Sequence, residues 1–320
     1  MSGLFDLPVE ELSLYKGTNP LPEDFDVYWN VALAELDQID SDLDFIDAEF
    51  QVPSGRCKHF FFTGVANARI HAKIVFPNDI RRPMPAIIFF HGYRAAAAEW
   101  SYLLSFVGAG FVVAALDCRG QAGLSVDAGG VRGNTQHGHI IRGLIDGPEK
   151  LLYRNIFLDT AQLARLVMDL EEVDSARVGA YGGSQGGGLS IACAALEPRI
   201  NRVVARYPFL SDYKRVWDLD LAENAYAELR EFFRKFDPLH ENEMKYFKRL
   251  GYIDVQHFAS RIKADFLMGT GLMDKVCPPS TQYAIFNKVT SSKDIVIYPD
   301  YEHEVLPGFD DRAIQFMLGM

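Results

Sequence analysis

Short apolar runs set the rhythm of this chain. From about residue 84 onward they alternate with stretches of helical period, which predicts a parallel sheet with helices on both faces. The runs are residues 85–90, 111–116, 177–181, 202–206, 264–268 and 294–298. Each is rich in Ile, Val, Phe or Ala, as suits a strand covered on both faces. Between them, Leu158, Ala161, Leu163, Ala164, Val167 and Met168 recur at helical spacing within residues 157–170. A further helix is predicted to begin at Gln185 and to continue through residues 191–196.

Two stretches break the alternation. Residues 119–150 are rich in Gly, Asp and His, have weak periodicity and are expected to form a long loop. Residues 210–260 are charged and aromatic, with helical patterns at 222–236 and 241–250. Inserted between two sheet strands, they read as a helical cap over the sheet's edge. Loops this long inside a compact domain usually serve binding or assembly. Residues 1–80 are expected to form an N-terminal arm, with an acidic helix at 24–40 and antiparallel strands at 44–52 and 69–76. The expected whole is one α/β domain over residues 1–320, with a mostly parallel, doubly wound sheet.

Composition narrows the classes of function. A chain of 320 residues that is 48% hydrophobic buries a large core without staples. A net charge of −11 argues against a phosphate-neutralising groove, so nucleic acid is not an expected partner. The start, Met1-Ser2-Gly3-Leu4-Phe5-Asp6, lacks the pattern of a signal peptide. The longest nearly apolar run, residues 106–116, is too short to span a bilayer and contains two glycines. Cys57, Cys118, Cys193 and Cys277 are scattered without a CxxC pair, which points to reduced thiols and a cytoplasmic location.

The strongest local chemistry lies at Gly182-Gly183-Ser184-Gln185-Gly186. It fits G-x-S-x-G, with a predicted strand before it and a predicted helix after it. A nucleophile elbow needs that context, because its serine sits on a sharp turn whose neighbours must be small. The bland alternative is a glycine-rich turn opening a helix. A serine hydroxyl needs a base, and in α/β-hydrolases the chain order is Ser, acid, His. That leaves His240, His257 and His303. The first two lie in or beside the cap and are expected at the surface. His303 follows the last predicted strand, at the carboxyl edge where ligand sites of open parallel sheets gather. Asp274 follows the 264–268 strand and lies between Ser184 and His303 in order. Its role would be to hold the imidazole tautomer; otherwise it caps the helix near Pro278. Asp300 and Glu304 are rival acids that would have to fold back on His303.

The oxyanion site calls for the backbone N–H of Gln185 and one from the loop His91-Gly92-Tyr93-Arg94, where Tyr93 is the natural donor. Arg119, in Asp117-Cys118-Arg119-Gly120-Gln121, either steers an anionic substrate or buttresses nearby loops; the second reading is preferred. His137 and His139, two apart with no third ligand nearby, make a poor metal site. No cofactor or metal is called for, and Cys277 is expected to serve packing.

Taken together, these residues resemble the carbohydrate esterase family of cephalosporin-C deacetylases and acetyl xylan esterases. The likeness runs from Phe5-Asp6-Leu7-Pro8 and Pro22-Glu23-Asp24-Phe25-Asp26-Val27-Tyr28-Trp29 through His91-Gly92-Tyr93 and Arg119-Gly120-Gln121. It continues in Gly182-Gly183-Ser184-Gln185-Gly186-Gly187-Gly188, Leu272-Met273-Asp274-Lys275-Val276 and His303-Glu304. The resemblance implies an α/β-hydrolase with Ser184, Asp274 and His303 as its triad and Tyr93 and Gln185 at its oxyanion site. It implies removal of O-acetyl groups from small sugars and from cephalosporin C, an intracellular location, and a hexamer whose sites face an inner cavity. Arg119 and Gln121 are structural in that picture. The chief departure is Cys277, where the family leads one to expect Thr. A broader ester or peptide hydrolase and a non-catalytic binding module of the same fold are the rival readings. Aromatic residues in the cap and at Tyr28-Trp29 in the arm independently suggest subunit contacts.

Overall fold

The computed structural model describes residues 5–128, 130–132 and 135–320, with nothing taken from the side chains of Val131 and Arg132. Within the long loop 119–150, Gly129, Gly133 and Asn134 therefore lie outside the described residues, as do Met1 to Leu4 of the arm.

The strands are β1 (Asp44–Asp47), β2 (Gly55–Gly64), β3 (Ala68–Pro77), β4 (Met84–Phe90), β5 (Val112–Leu116), the short β6 (Val126–Asp127) and β7 (Val131–Arg132), β8 (Val173–Gly183), β9 (Arg202–Arg206), β10 (Asp265–Gly271) and β11 (Lys293–Tyr298). Among the described residues nine of them form one sheet in the order β1-β2-β3-β5-β4-β8-β9-β10-β11. The six strands from β5 to β11 in that order run parallel. The other three add antiparallel pairings at one edge. The helices are α1 (Val9–Leu12), α2 (Phe25–Leu36), α3 (Trp100–Gly108), α4 (Leu152–Met168), α5 (Gln185–Leu196), α6 (Tyr213–Asp218), α7 (Ala227–Phe236), α8 (Glu243–Leu250), α9 (Pro279–Phe286) and α10 (Phe309–Leu318).

The side-chain alternation of β4 shows how the sheet divides the interior. Ala86, Ile88 and Phe90 join one apolar cluster with α4 and α5. Ile87 and Phe89 join a second cluster with α3 and α10. Each buried Leu, Ile or Phe contributes roughly 1.5–3 kcal/mol by removing apolar area from water. No helix among the described residues is long and apolar enough to cross a membrane.

The doubly wound sheet agrees with the apolar rhythm, and the departures have physical causes. The predicted strand at 44–52 ends at Asp47, and β2 was not expected at all. The Lys58-His59 pair and the run Phe60-Phe61-Phe62 blur its alternation, although Phe60 and Phe62 are buried on one face of the sheet and Cys57 on the other. Helix α4 begins five residues before the predicted 157, because Leu152, Tyr153 and Ile156 extend the buried face. The acidic helix ends at Leu36, four residues short of the predicted 40.

The cap occupies its expected place between β9 and β10. Helix α7 presents Leu229, Phe232 and Phe233 inward, and α8 presents Tyr246, Phe247 and Leu250. The arm clasps this insertion from outside. Trp29 is fully buried and donates its indole N–H to the Tyr252 carbonyl at 2.9 Å. It is an intrachain anchor, which corrects its reading as a subunit contact.

Candidate active site

The turn between β8 and α5 is Ser184 alone, held at φ 56°, ψ −122°. That left-handed conformation costs a non-glycine residue on the order of 1–3 kcal/mol, so the surroundings must enforce it. Three backbone hydrogen bonds do so. The Ser184 N–H donates to the Arg206 carbonyl at 2.9 Å, and its carbonyl accepts from Phe209 at 3.0 Å and Gly188 at 3.1 Å. Clearance makes two glycines necessary. A Cβ on Gly186 would lie 2.0 Å from the Phe90 carbonyl oxygen, and one on Gly182 would lie 2.4 Å from the Gly186 carbonyl carbon.

His303 and Asp274 arrive on the loops after β11 and β10. The two loops are bonded backbone to backbone: Leu272 N–H to Tyr298 carbonyl and Met273 N–H to Tyr301 carbonyl, both at 3.0 Å. His303 Nε2 stands 3.0 Å from Ser184 Oγ, and its Nδ1 stands 2.8 Å from Asp274 Oδ2. The carboxylate accepts at Oδ2, so the imidazole hydrogen sits on Nδ1 and Nε2 is free to accept from the serine. Asp274 is fully buried. Its Oδ1 accepts the N–H groups of Val276 at 2.9 Å and Cys277 at 2.8 Å, so one carboxylate shapes its own loop and holds the imidazole. Those N–H groups lie in the loop before α9, whose start has no side-chain cap, so Asp274 is not the cap of that helix. The Tyr207 ring packs 4.3 Å from that of His303. Asp300 and Glu304 stay exposed, and Glu304 bonds only within its loop, to the Glu302 N–H.

The backbone N–H groups of Tyr93 and Gln185 donate to no protein group among the described residues. Gln185 opens α5, where helix N–H groups lack partners and carry partial positive charge. Its side chain faces away into a buried amide cluster. Gln185 Oε1 accepts from Tyr153 Oη at 2.6 Å and from Gln121 Nε2 at 2.7 Å. Gln121 Oε1 in turn accepts the Arg94 N–H at 2.9 Å, tying the loop after β4 to the elbow. His91 donates from Nδ1 to the Gly92 carbonyl at 2.7 Å and accepts the Cys118 N–H at Nε2, at 3.1 Å. Burial holds its imidazole below the usual range, so it stays neutral.

Arg119 is fully buried and takes Asp159 in a bidentate grip, with N–O distances of 2.7 and 2.6 Å, while its third nitrogen meets the Val65 carbonyl at 2.9 Å. No face of it is left for a substrate. His137 pairs with Glu231 at 2.9 Å, whereas His139 turns to Tyr93 and the Gly120 carbonyl, so the two share no ligand position. Cys277 packs, buried, beside Ser184, and burial with Asp274 nearby pushes its thiol well up. Its sulfur lies within 4.8 Å of ligand-type atoms of Asp274 and His303, but those two already serve each other. His257 corrects an expectation: it is buried, and burial together with Lys288 pushes its imidazole down to about 3. Sequence reasoning missed Tyr153 and Glu228. The second carried a signal, an acid on the apolar face of α7 beside Leu229, Phe232 and Phe233.

Comparison with known proteins places this geometry. The acetyl xylan esterase (AXE1) family profile matches residues 2–320. The chain is similar to the crystal structure of acetyl xylan esterase 1 from Thermoanaerobacterium sp. JW/SL YS485. Identity is 57% and the TM-score 0.95, over 98% of this chain and 99% of that one. It is similar to an acetyl xylan esterase from Paenibacillus sp. R4 at 32% identity and TM-score 0.92, over the same shares. An acetyl esterase of Xylanibacter ruminicola is 32% identical over 168 residues, which is 52% of this chain and 36% of that relative's length. The chain belongs to the acetyl xylan esterase family, carboxylic ester hydrolases on the α/β-hydrolase fold.

Proposed function

We propose that this protein is a serine acetylesterase that removes O-acetyl groups from short acetylated xylo-oligosaccharides through an acyl-enzyme on Ser184. The observation that carries this reading is the line Ser184 Oγ, His303 Nε2, His303 Nδ1, Asp274 Oδ2, with spacings of 3.0 and 2.8 Å. In the first half-reaction Ser184 Oγ bonds to the acetyl carbonyl carbon and its proton passes to His303 Nε2. The carbonyl oxygen becomes an oxyanion that accepts from the Tyr93 and Gln185 N–H groups. The C–O bond to the sugar then breaks, and His303 returns the proton to the departing sugar oxygen. Water repeats the sequence on the acetylated serine and releases acetate. Asp274 keeps the imidazole oriented and stabilises its charged form without taking the proton. Each oxyanion donor stabilises the transition state by about 3–4 kcal/mol.

Cephalosporin C, also an O-acetyl ester, is proposed as a second substrate. The protein acts as a cytoplasmic homo-oligomer, a hexamer in which a shared cavity limits access to Ser184. Val27 and Val31 on α2 and Phe236, Leu239 and Met244 in the cap support assembly, because they remain exposed on the single chain. The test is acetate release from acetylated xylo-oligosaccharides by the parent and by Ser184→Ala, beside butyryl esters, a peptide amide and polymeric xylan. Preference for short acetyl substrates supports the proposal; faster turnover of butyryl esters or the amide overturns it. Light scattering that gave the 35.9 kDa monomer would defeat the assembly.

A further inference from the structure

The cap reaches the acyl site through one carboxylate. Glu228, second residue of α7, is completely buried. Its Oε2 accepts the N–H groups of Ile140 at 2.7 Å and Ile141 at 3.1 Å. Its Oε1 meets the hydroxyl of Tyr93. The same hydroxyl lies 3.1 Å from Nδ1 of His139, whose Nε2 lies 2.9 Å from the Gly120 carbonyl. The Tyr93 ring is clamped edge-on to His139 and against Phe209, with centroids 5.2 and 5.4 Å apart.

Counting hydrogens along this chain exposes a constraint. The Gly120 carbonyl only accepts, so His139 carries a hydrogen on Nε2. Tyr93 has one hydroxyl hydrogen and two neighbours, Glu228 and His139 Nδ1. It serves one of them. The other contact requires one more hydrogen, either on the carboxyl group or on Nδ1. Without it, a carboxylate and a bare imidazole nitrogen flank a single hydroxyl, and one buried contact sets lone pair against lone pair. The other charged or titratable groups facing the cluster are engaged or protonated. His137 pairs with Glu231, Arg142 pairs with Asp127, and Arg94 lies over the Tyr93 ring at 5.5 Å. Burial raises Tyr153 and Tyr213, which stay neutral. Burial also pushes the Glu228 carboxyl up and the His139 imidazole down, which favours the carboxyl group as the holder of the extra proton.

We propose that Glu228 is a positioning residue of the acyl site: as a proton-bearing acid in the chain Glu228–Tyr93–His139, it fixes Tyr93 so that its backbone N–H meets the oxyanion. The inference rests on the oxyanion role given above to Tyr93. It makes the cap part of the catalytic frame, and it makes that frame loosen when alkali removes the proton.

The test is kcat and KM on 4-nitrophenyl acetate from pH 6 to 10 for the parent, Glu228→Ala, Glu228→Gln and Ser184→Ala. Glutamine mimics the protonated acid: its NH2 donates to Tyr93 and its carbonyl accepts from Ile140 and Ile141, with nothing left to titrate. Glu228→Ala is expected to lower kcat about tenfold with KM nearly unchanged, since only transition-state binding is lost. Glu228→Gln is expected to recover most of that loss and to abolish or raise the alkaline decline of the parent. Parental kcat in Glu228→Ala overturns the inference, and so does a Gln variant as impaired as Ala. If Glu228→Ala does not fold, Tyr93→Phe keeps the ring and N–H while deleting the hydroxyl. It must show the same fall in kcat, and parental kcat there overturns the inference. Ser184→Ala separates the two levels. Its inactivity beside parental Glu228 variants sinks this inference alone, whereas its activity sinks the serine reading as well.

Discussion

The edge that carries the proposed triad and the cap lie side by side and differ in the ties that shape them. At the edge the elbow and the loops after β10 and β11 are tied backbone to backbone, Ser184 to Arg206, Leu272 to Tyr298 and Met273 to Tyr301, and Asp274 and Gln121 add side-chain ties. Glycines allow the close approach, and at Gly271 a Cβ would lie 2.4 Å from the Tyr301 carbonyl. In the cap the ties are side chains reaching far along the chain. Asp212 Oδ1 accepts the N–H groups of Thr18 at 3.0 Å and Asn19 at 2.8 Å, and its Oδ2 accepts the Tyr15 hydroxyl at 2.8 Å. Asp254 accepts the Asp212 N–H at 2.9 Å and Gln256 Nε2 at 3.0 Å. Backbone ties do not titrate and admit no added atom, so the edge is precise and brittle. Carboxylate ties tolerate volume and answer to pH.

The sharpest break at the edge is removal of the proposed reacting groups. Ser184→Ala or His303→Ala is expected to lower kcat by roughly a millionfold, measured as acetate release. Ester hydrolysis by Ser184→Ala near the parental rate would overturn the assignment. Asp274→Asn is expected to lower kcat by about ten-thousandfold, because an amide no longer enforces the tautomer that leaves Nε2 bare. A loss under about tenfold would show that the Asp274 contact is incidental.

Gly186→Ala probes the brittleness itself. Its methyl meets the Phe90 carbonyl, and overpacking of this kind costs about 1–3 kcal/mol or more. Tm is therefore expected to fall by several degrees, and an unchanged Tm would show that the elbow yields.

The smallest effect belongs to the cap and appears as a pH dependence. Burial, then the charge of Asp212, pushes Asp254 up to about 7. The unfolded chain releases that proton near the ordinary carboxyl value of about 3.9. Between the two values the folded state holds a proton that the unfolded state lacks, so this group's contribution to stability falls as pH rises through about 7. Asp254→Asn removes this titrating group. His257, pushed down to about 3, works in the opposite direction and is common to both proteins, so it cancels in the difference. The Tm of Asp254→Asn minus that of the parent is expected to increase from pH 5 to pH 8. A flat difference would contradict the titration of Asp254.

What the chain's own pattern determined is whatever depends on short-range chemistry. The apolar runs mark the buried parallel strands, and the glycines about Ser184 mark the turn. The order Ser184, Asp274, His303 picks out three loops that a parallel sheet must deliver to one edge. What only the tertiary structure decided involves partners distant in sequence. Glu228 meets Tyr93 across 135 positions, and Asp212 meets Thr18 across 194. Trp29 read as a subunit contact and His257 as a surface residue until their elements packed. The reason is physical: a turn's sterics are set by its neighbours in sequence, whereas the environment of a buried charge is set by whichever elements the fold lays against it. Local pattern therefore marked the proposed triad, and only packing decided what surrounds it.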